Sequence, residues 1–303
     1  MLQQCFKGYS NLDPPEKQQK AIPFSVLRTM ILLAAIDITS LDYAIAELTM
    51  GAFFFAMRSC EYSKSGKEES KRTRILCLRN IRFFKNRVQI PHDSPLIHIA
   101  DYVDITFEFQ KNDLRNDSVG MYRSTSGAEY CAVSTWAKIV TRLWSYEGTT
   151  MDTKVNTAMY KNAKGKLIKT EISSYRIRTK IRAAVKAIGK EKLGFESTDV
   201  GCHSIRSGAA MALYLGHVPV LTIMIIGRWK SDAFLRYIRK QVALFSENLT
   251  DRMLDVDSFF TTPDFDRVQQ AASSSSPTPP LNTENGPSRS WGVYHHQPAI
   301  ECH

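Results

Sequence analysis

The sequence lacks the features of a secreted scaffold, a membrane protein or a nucleotide-binding enzyme. Its six cysteines are scattered, with no CxxC pair and no ligand-like spacing to histidine, which argues against a disulfide framework or a zinc site. The chain has no secretory signal and no P-loop. Its apolar run "FSVLRTMILLAAIDI" is too short to cross a bilayer and contains Arg28. A reducing compartment is therefore favoured.

Charge and composition point to a globular protein with a polyanionic partner. The chain has 303 residues, 43% of them hydrophobic, which is enough for one large domain or two modest ones. The chain contains 40 basic and 30 acidic residues, which gives a net charge of +10. Such an excess is typical of a nucleic-acid-binding protein, although a merely basic soluble protein has the same signature.

The hydrophobic pattern predicts one mostly helical domain with a small antiparallel sheet, an α+β fold. Strand patterns cover residues 75–84, 87–90 and 102–110, and a hairpin is predicted across residues 162–165. Helical patterns cover residues 24–36, 42–57, 132–144, 173–188, 203–215, 220–226, 231–243 and 244–260. We predict a linker over residues 1–21, a domain over residues 22–262 and a disordered low-complexity tail over residues 263–303.

Two charged motifs follow or open predicted helices. In "AMRSCE", Arg58 ends an apolar helix and Glu61 follows three residues later, so the charge beside the core needs a partner or a ligand. A local Arg58–Glu61 pair would also explain the motif. In "GCHSIRSG", His203 and Arg206 share one face near a helix start, a position that suits anions.

A third motif combines an indole, a phenol and several cations. The stretch "GRWKSDAFLRYIRKQ" holds Trp229 and, eight residues later, Tyr237. A phenol has a pKa of about 10, so it attacks poorly until a base or cations help it ionise. A half-buried core tyrosine is the plainer reading. Four cations of this stretch are candidate DNA contacts: Arg228, Lys230, Arg236 and Arg239.

A lysine completes the set of candidates. Lys111 follows the strand pattern "YVDITFEFQ", where a strand end can hold an ammonium group rigidly. Lys85, in the earlier predicted turn, competes with Lys111 for the same role. Either side chain could instead be a solvated turn lysine.

The order of these motifs resembles the catalytic domain of the tyrosine recombinase/integrase family. In that family Arg-x-x-Glu follows an apolar helix, as "RSCE" does here, and His-x-x-Arg opens a later helix, as "HSIR" does. A Gly-x-(His or Trp) element and then the tyrosine follow, as in "GRW" and "LRYIR". The resemblance covers about residues 22–245. The phrases "TFEFQKND" and "GRWKSDAFLRYIR" look most like integrases of Crypton and DIRS mobile elements.

The resemblance implies the fold of DNA breaking-rejoining enzymes and a role for each motif. Tyr237 would form a 3′-phosphotyrosyl bond, Arg58 and Arg206 would hold the phosphate oxygens, and Lys111 would protonate the leaving 5′-oxygen. His203 would act as general base or hydrogen-bond partner, Trp229 would donate a hydrogen bond, and Glu61 would orient its basic neighbours. The resemblance implies double-stranded DNA as partner, a homo-oligomer (dimer or tetramer) on DNA, a nuclear location, and no metal, cofactor, membrane or small-molecule substrate.

The sequence also departs from the family pattern. Family members clamp DNA with a smaller helical domain that precedes this one, and here residues 1–21 would be its remnant. Two other functions therefore stay open: a DNA-binding module without turnover, and an enzyme similar to a type IB topoisomerase. The spacing from Arg58 to Lys111 is also longer than is common in the family.

Overall fold

The computed structural model describes residues 19–64, 74–108, 116–126, 129–162 and 164–229. These residues form a mixed α+β structure with a four-stranded sheet and a separate two-stranded sheet, both antiparallel. The predicted α+β class is therefore found in the described part of the chain. The predicted helices over 231–243 and 244–260, the tail and the domain boundary at 262 lie outside the described residues.

The core is built around a helix with almost no polar side. Helix α1 (Phe24–Ala34) precedes α2 (Leu41–Phe54), and every residue of α2 from Ala44 to Phe53 is buried. The hydroxyl of Ser40 accepts a hydrogen bond from the backbone N–H of Tyr43 at 3.1 Å and so caps α2. A helix that is apolar all round is stable only inside a fold. The apolar sequence therefore predicted the central position of α2.

Close helix packing holds α2 in place. A short helix, α3 (Ser59–Tyr62), follows α2, and α4 (Ala132–Trp144) crosses α2 at Gly51. The Trp136 indole donates to the Gly51 carbonyl oxygen at 3.2 Å. A Cβ at residue 51 would lie 2.9 Å from the Ile139 side chain, so the glycine allows the two helices to approach.

The larger sheet lies between the helical core and solvent. Its strands are β1 (Ile81–Lys85), β2 (Val88–Ile90), β3 (Tyr102–Phe107) and β4 (Asp117–Tyr122), in the order β2-β1-β3-β4. Alternate residues of β1 and β3 face the core, among them Phe83 and Val103, which are fully buried. The predicted turn joins β1 to β2, with Asn86 and Arg87 at positive φ.

Strand β4 was missed in the sequence because its residues are poor strand formers. Its sequence "DSVGMY" begins with Asp117 and contains Gly120, and both residue types are depleted in strands. Full pairing with β3, from Tyr102 opposite Tyr122 to Phe107 opposite Asp117, gives this segment its strand conformation. Local propensity is here overridden by a long-range partner.

The remaining predicted elements are found within a few residues of their predicted bounds, and the short helix Lys190–Leu193 was not predicted. Strands β5 (Thr157–Lys161) and β6 (Leu167–Glu171) form the predicted hairpin. Helices α5 (Ser174–Ile188), α6 (Lys190–Leu193), α7 (His203–Leu215) and α8 (Val220–Gly227) complete the described chain. None of the described helices is long and apolar enough to span a membrane. The described ranges contain no group of three or more His, Cys, Asp or Glu that could hold a metal ion.

Candidate active site: an arginine cluster

Arg58 stands where the chain leaves the central helix. After α2 ends, Ala56 adopts a left-handed conformation with φ 44°, and Arg58 becomes the N-cap residue of α3. Its backbone N–H and its guanidinium both donate to the Glu61 carboxylate, at 2.8 and 3.0 Å. The guanidinium also donates to the carbonyl oxygen of Arg228 at 3.2 Å. The local Arg58–Glu61 pair is thus present, and it is joined to a distant segment.

Arg206, near the start of α7, contacts the same region as Arg58. This arginine is 4% exposed. Its guanidinium donates to the Ala56 carbonyl oxygen and, at 2.5 Å, to the Gly227 carbonyl oxygen. The guanidinium carbon lies 4.2 Å from the ring centroid of Trp229, a cation–π contact. Arg206 therefore connects the chain just before Arg58 with the end of α8.

The tryptophan position depends on the glycine two residues earlier. A Cβ at Gly227 would lie 1.7 Å from a ring carbon of Trp229, so no side chain fits there while the indole keeps this place. The Trp229 backbone N–H donates to the Met224 carbonyl oxygen at 2.9 Å and closes the end of α8. The "GRW" sequence is thus a helix end that sets an indole against Arg206.

The structure corrects the prediction for Arg228. We expected a surface cation that contacts DNA, yet its side chain has no exposed surface. Its guanidinium donates to Glu61 at 2.7 Å and to the Phe55 carbonyl oxygen at 3.3 Å, and its carbon lies 3.5 Å from the Phe107 ring centroid. Arg228 has a left-handed backbone, φ 56°, which turns the side chain inward after α8.

We name Arg58, Glu61, Arg206, Arg228 and Trp229 the arginine cluster. Glu61 is 1% exposed and bonds both Arg58 and Arg228. Burial lowers the pKa of the Arg228 guanidinium, and nearby Arg58 lowers this pKa further, while Glu61 and then Asp117 oppose the shift. Three guanidinium groups and two carboxylates therefore influence one small region. The described part of this region keeps a net positive charge, which favours an anionic ligand.

His203 lies one helical turn from Arg206 on α7. His203 is exposed at the helix surface, yet desolvation by the protein atoms around its ring, and secondarily the positive charge of Arg206, lower the pKa of the imidazole below its ordinary value. The ring is therefore neutral near pH 7, and one of its nitrogens can accept a proton or a hydrogen bond. The backbone N–H of His203 donates to the Gln19 side chain at 3.2 Å and fixes the start of α7.

The structure separates the two candidate lysines. Phe84 of β1 pairs with Tyr102 at the start of β3, so Lys85 lies at that end of the sheet. Phe107, which contacts Arg228, lies at the other end of β3, about 16 Å away at 3.3 Å per residue. Lys85 is thus remote from the arginine cluster. Lys111 follows Phe107 by four residues in the sequence, and it lies outside the described residues.

Five of the predicted site residues are brought into one region from three distant segments: Arg58, Glu61, His203, Arg206 and Trp229. The predicted nucleophile Tyr237 lies outside the described residues, as do the predicted DNA contacts Lys230, Arg236 and Arg239. The positioning contacts of Arg228 and Phe107 were missed. Arg228 follows an apolar helix, as Arg58 does, and this shared setting was the available signal.

The chain has little sequence similarity to known proteins. No protein-family model matches the chain, and no curated protein matches it. Among solved structures the chain is similar to the Tn1549 transposon integrase in complex with transposon right end DNA. That similarity has a TM-score of 0.39 and 9% sequence identity, and it covers 78% of this chain and 68% of that chain. The function is therefore inferred from the residues of the site.

Proposed function

We propose that the protein is a tyrosine recombinase, an integrase of the Crypton or DIRS kind that breaks and rejoins DNA. One observation carries this proposal: Arg58, Arg206 and Trp229 come from three distant segments and meet at the end of α8, where Arg58 donates to the Arg228 carbonyl, and Arg206 donates to the Gly227 carbonyl and lies over the Trp229 ring. The family order of motifs predicts that meeting. Arginines at unrelated surface positions are not expected to cluster beside a neutral histidine.

The proposed reaction is strand transfer at a phosphodiester. The Tyr237 hydroxyl attacks phosphorus, its proton passes to His203, and the bond from phosphorus to the 5′-oxygen breaks. Lys111 gives a proton to the leaving 5′-oxygen, so a 3′-phosphotyrosyl bond and a free 5′-hydroxyl result. Attack by a 5′-hydroxyl reverses these steps and rejoins the strand. Bond energy is kept in the phosphotyrosine, so the reaction needs no nucleotide.

The arginine cluster would stabilise charge on the phosphate. The guanidinium groups of Arg58 and Arg206 would offset the negative charge that builds up on the non-bridging oxygens. Losing one such donor typically lowers the rate about a hundredfold or more. Glu61 and Arg228 would act as positioning residues, because they hold Arg58 and the end of α8 without an exposed surface of their own.

Double-stranded DNA is the proposed partner. The net charge of +10 favours a polyanion, and Lys230, Arg236 and Arg239 would contact the backbone around Tyr237. A dimer or tetramer on DNA and a nuclear location belong to the same proposal. Each of these rests on the motifs shared with the family.

A nicked suicide substrate tests the reaction directly. In such a duplex the cleaved strand loses a short piece after attack, so the covalent adduct accumulates and runs as a shifted band on a denaturing gel. We expect the adduct with the native protein and none with Tyr237→Phe. Tyr175→Phe is the matched control, because Tyr175 is an exposed tyrosine on α5, 67% accessible, and it should form the adduct normally.

Three outcomes would overturn the proposal, each in a different direction. Binding of the duplex without any adduct would make the protein a DNA-binding module without turnover. Relaxation of supercoiled plasmid at any sequence would make it a type IB topoisomerase-like enzyme. Retention of the adduct in Tyr237→Phe would show that another residue is the nucleophile.

A further inference from the structure

Three aromatic side chains form a row across the outer face of the larger sheet. Phe84 of β1 pairs with Tyr102 of β3, and Tyr102 pairs with Tyr122 of β4. Their ring centroids lie 5.9 and 4.8 Å apart. We name Phe84, Tyr102 and Tyr122 the aromatic row. Directly opposite residues share one face of a sheet, so the row is a property of the strand register.

The row faces solvent. Neighbouring residues such as Phe83 and Val103 are fully buried, and strand side chains alternate between faces, so the row lies on the side away from the core. Tyr122 is 78% exposed. Phe84 and Tyr102 are half-buried, so Tyr122 presents most of the exposed ring surface of the row, and a ligand can bind there.

Gly120 determines how the central ring lies. A Cβ at this position would be 1.6 Å from the Tyr102 hydroxyl oxygen, so the phenol extends across the backbone of β4. The absence of a side chain at residue 120 leaves room for this ring to lie over the strand. The three rings therefore lie side by side along the outer face of the sheet.

The surroundings of the row carry a positive balance. Arg82 and Asp104 form an ion pair in the next row of the same face, and Asp101 accepts a hydrogen bond from the Asn86 backbone N–H. Lys85 and Arg87 are exposed at the turn that follows Phe84, whereas the Arg123 guanidinium donates to the carbonyl oxygens of Ala100 and His98. Three cations, Arg82, Lys85 and Arg87, against the carboxylates of Asp101 and Asp104 leave this part of the described surface net positive, as the whole chain is.

We propose that the aromatic row binds unpaired bases of single-stranded nucleic acid. Ring faces accept bases of any sequence by stacking, and flanking cations contact the phosphates. The positive balance favours this polyanion over an uncharged proline-rich peptide, the other ligand that aromatic surfaces recognise. The row begins about 16 Å along β3 from Phe107 and the arginine cluster. It is a second site and does not depend on the proposed strand transfer.

Fluorescence anisotropy with a labelled oligothymidylate tests the proposal. We expect Tyr122→Ala to weaken binding at least about fivefold, since one base–aromatic stack typically contributes that much or more. Tyr122→Phe keeps a ring and should keep most of the binding. Tyr175→Ala is the matched control, because it removes another exposed tyrosine, 67% accessible, from a helix, and it should bind as the native protein does.

A second variant tests ring placement without removing a ring. Gly120→Ala must displace the Tyr102 phenol, because the new methyl group would occupy its place. We expect weaker oligonucleotide binding, with circular dichroism and the thermal midpoint showing that the fold is kept. Should this variant unfold, Tyr122→Ala still decides the question, because Tyr122 is largely exposed and its ring contributes little to the core.

The experiments distinguish failure of the aromatic row as a binding site from failure of the proposed strand transfer. Tyr122→Ala should form the covalent adduct on nicked duplex at the native rate, and Tyr237→Phe should bind oligothymidylate with native affinity. Equal oligonucleotide affinity in Tyr122→Ala and the native protein would overturn the aromatic row as a site. Binding of a proline-rich peptide that depends on Tyr122, with no oligonucleotide binding, would assign the row to a protein partner and would also overturn it.

Discussion

The Glu61 carboxylate lies 2.7 Å from the Arg228 guanidinium, and the two side chains are 1% and 0% exposed. The same carboxylate bonds Arg58 at 3.0 Å. A single buried acid therefore joins the end of the central helix to the end of α8. Because an unpaired charge is costly in the interior, these three residues form one structural unit.

Removing one member of this buried pair should destabilise the fold strongly. We expect Arg228→Met to lower the free energy of unfolding by about 3–5 kcal/mol, because Glu61 would keep its buried charge with one partner fewer. Urea unfolding followed by circular dichroism measures the change. Lys190→Met is the control, because the Lys190–Glu196 pair is exposed, and its stability should stay at the native value. A loss for Arg228→Met no larger than for the control would contradict a structural role for the pair.

The contact between Arg206 and Trp229 should affect the reaction more than the fold. Trp229→Ala removes the ring 4.2 Å from the guanidinium carbon, and we expect adduct formation about tenfold slower, in line with a cation–π contact of about 0.5–2 kcal/mol. Trp229→Phe keeps an aromatic ring and should give an intermediate rate. Quenched-flow sampling of the nicked substrate measures both rates. Equal rates for the two variants would show that the ring does not position Arg206.

The pKa of His203 should lie below its ordinary value of about 6.5. Above the unfolded-state pKa of about 6.5, the imidazole is neutral in both states and does not change the free energy of unfolding. As pH falls below about 6.5 toward the lowered folded-state pKa, the unfolded state binds the proton more readily, so the fold is destabilised. Titration of the imidazole proton resonances measures the value. Arg206→Met should raise the His203 pKa only in part, because desolvation is the larger cause. A native pKa above 6.5 would contradict this environment.

The Cys202 thiol should be slow to alkylate in the native protein. Burial raises its pKa from 9.0 to about 11, and a shift of two pH units lowers the thiolate fraction about a hundredfold at pH 8. Iodoacetamide labelling followed by peptide mass spectrometry measures the rate at each cysteine. The same peptide should label fast in urea, which serves as the internal control. Native labelling as fast as labelling in urea would show that the thiol is not buried beside α5.

Sequence reasoning succeeded where the signal is local. The all-round apolar pattern of α2 predicted a central helix, and the alternation of Val103, Ile105 and Phe107 predicted β3. Both patterns need only the rule that apolar faces are buried. The β5–β6 hairpin was found for the same reason, since its turn residues Asn162 and Gly165 have strong local preferences.

Sequence reasoning failed where a long-range partner decides. The β4 segment has weak strand propensity and becomes a strand through β3. Arg228 reads as a surface cation, and only the meeting of Glu61, Phe55 and Phe107 makes it internal. The aromatic row was not predicted, because strand register, not sequence spacing, sets Phe84, Tyr102 and Tyr122 side by side.

The sequence alone determined the α+β class of the described residues, the helix that begins at His203, and the order of motifs that suggests DNA strand transfer. Only the tertiary structure decided which charges meet. Arg58 and Arg228 are 170 positions apart, and Arg58 donates to the Arg228 carbonyl. Contacts over such a separation form only when the core has formed. Burial then set the surroundings of each charge. It placed the Arg228 side chain inside the core and left Arg58 at the edge of the cluster.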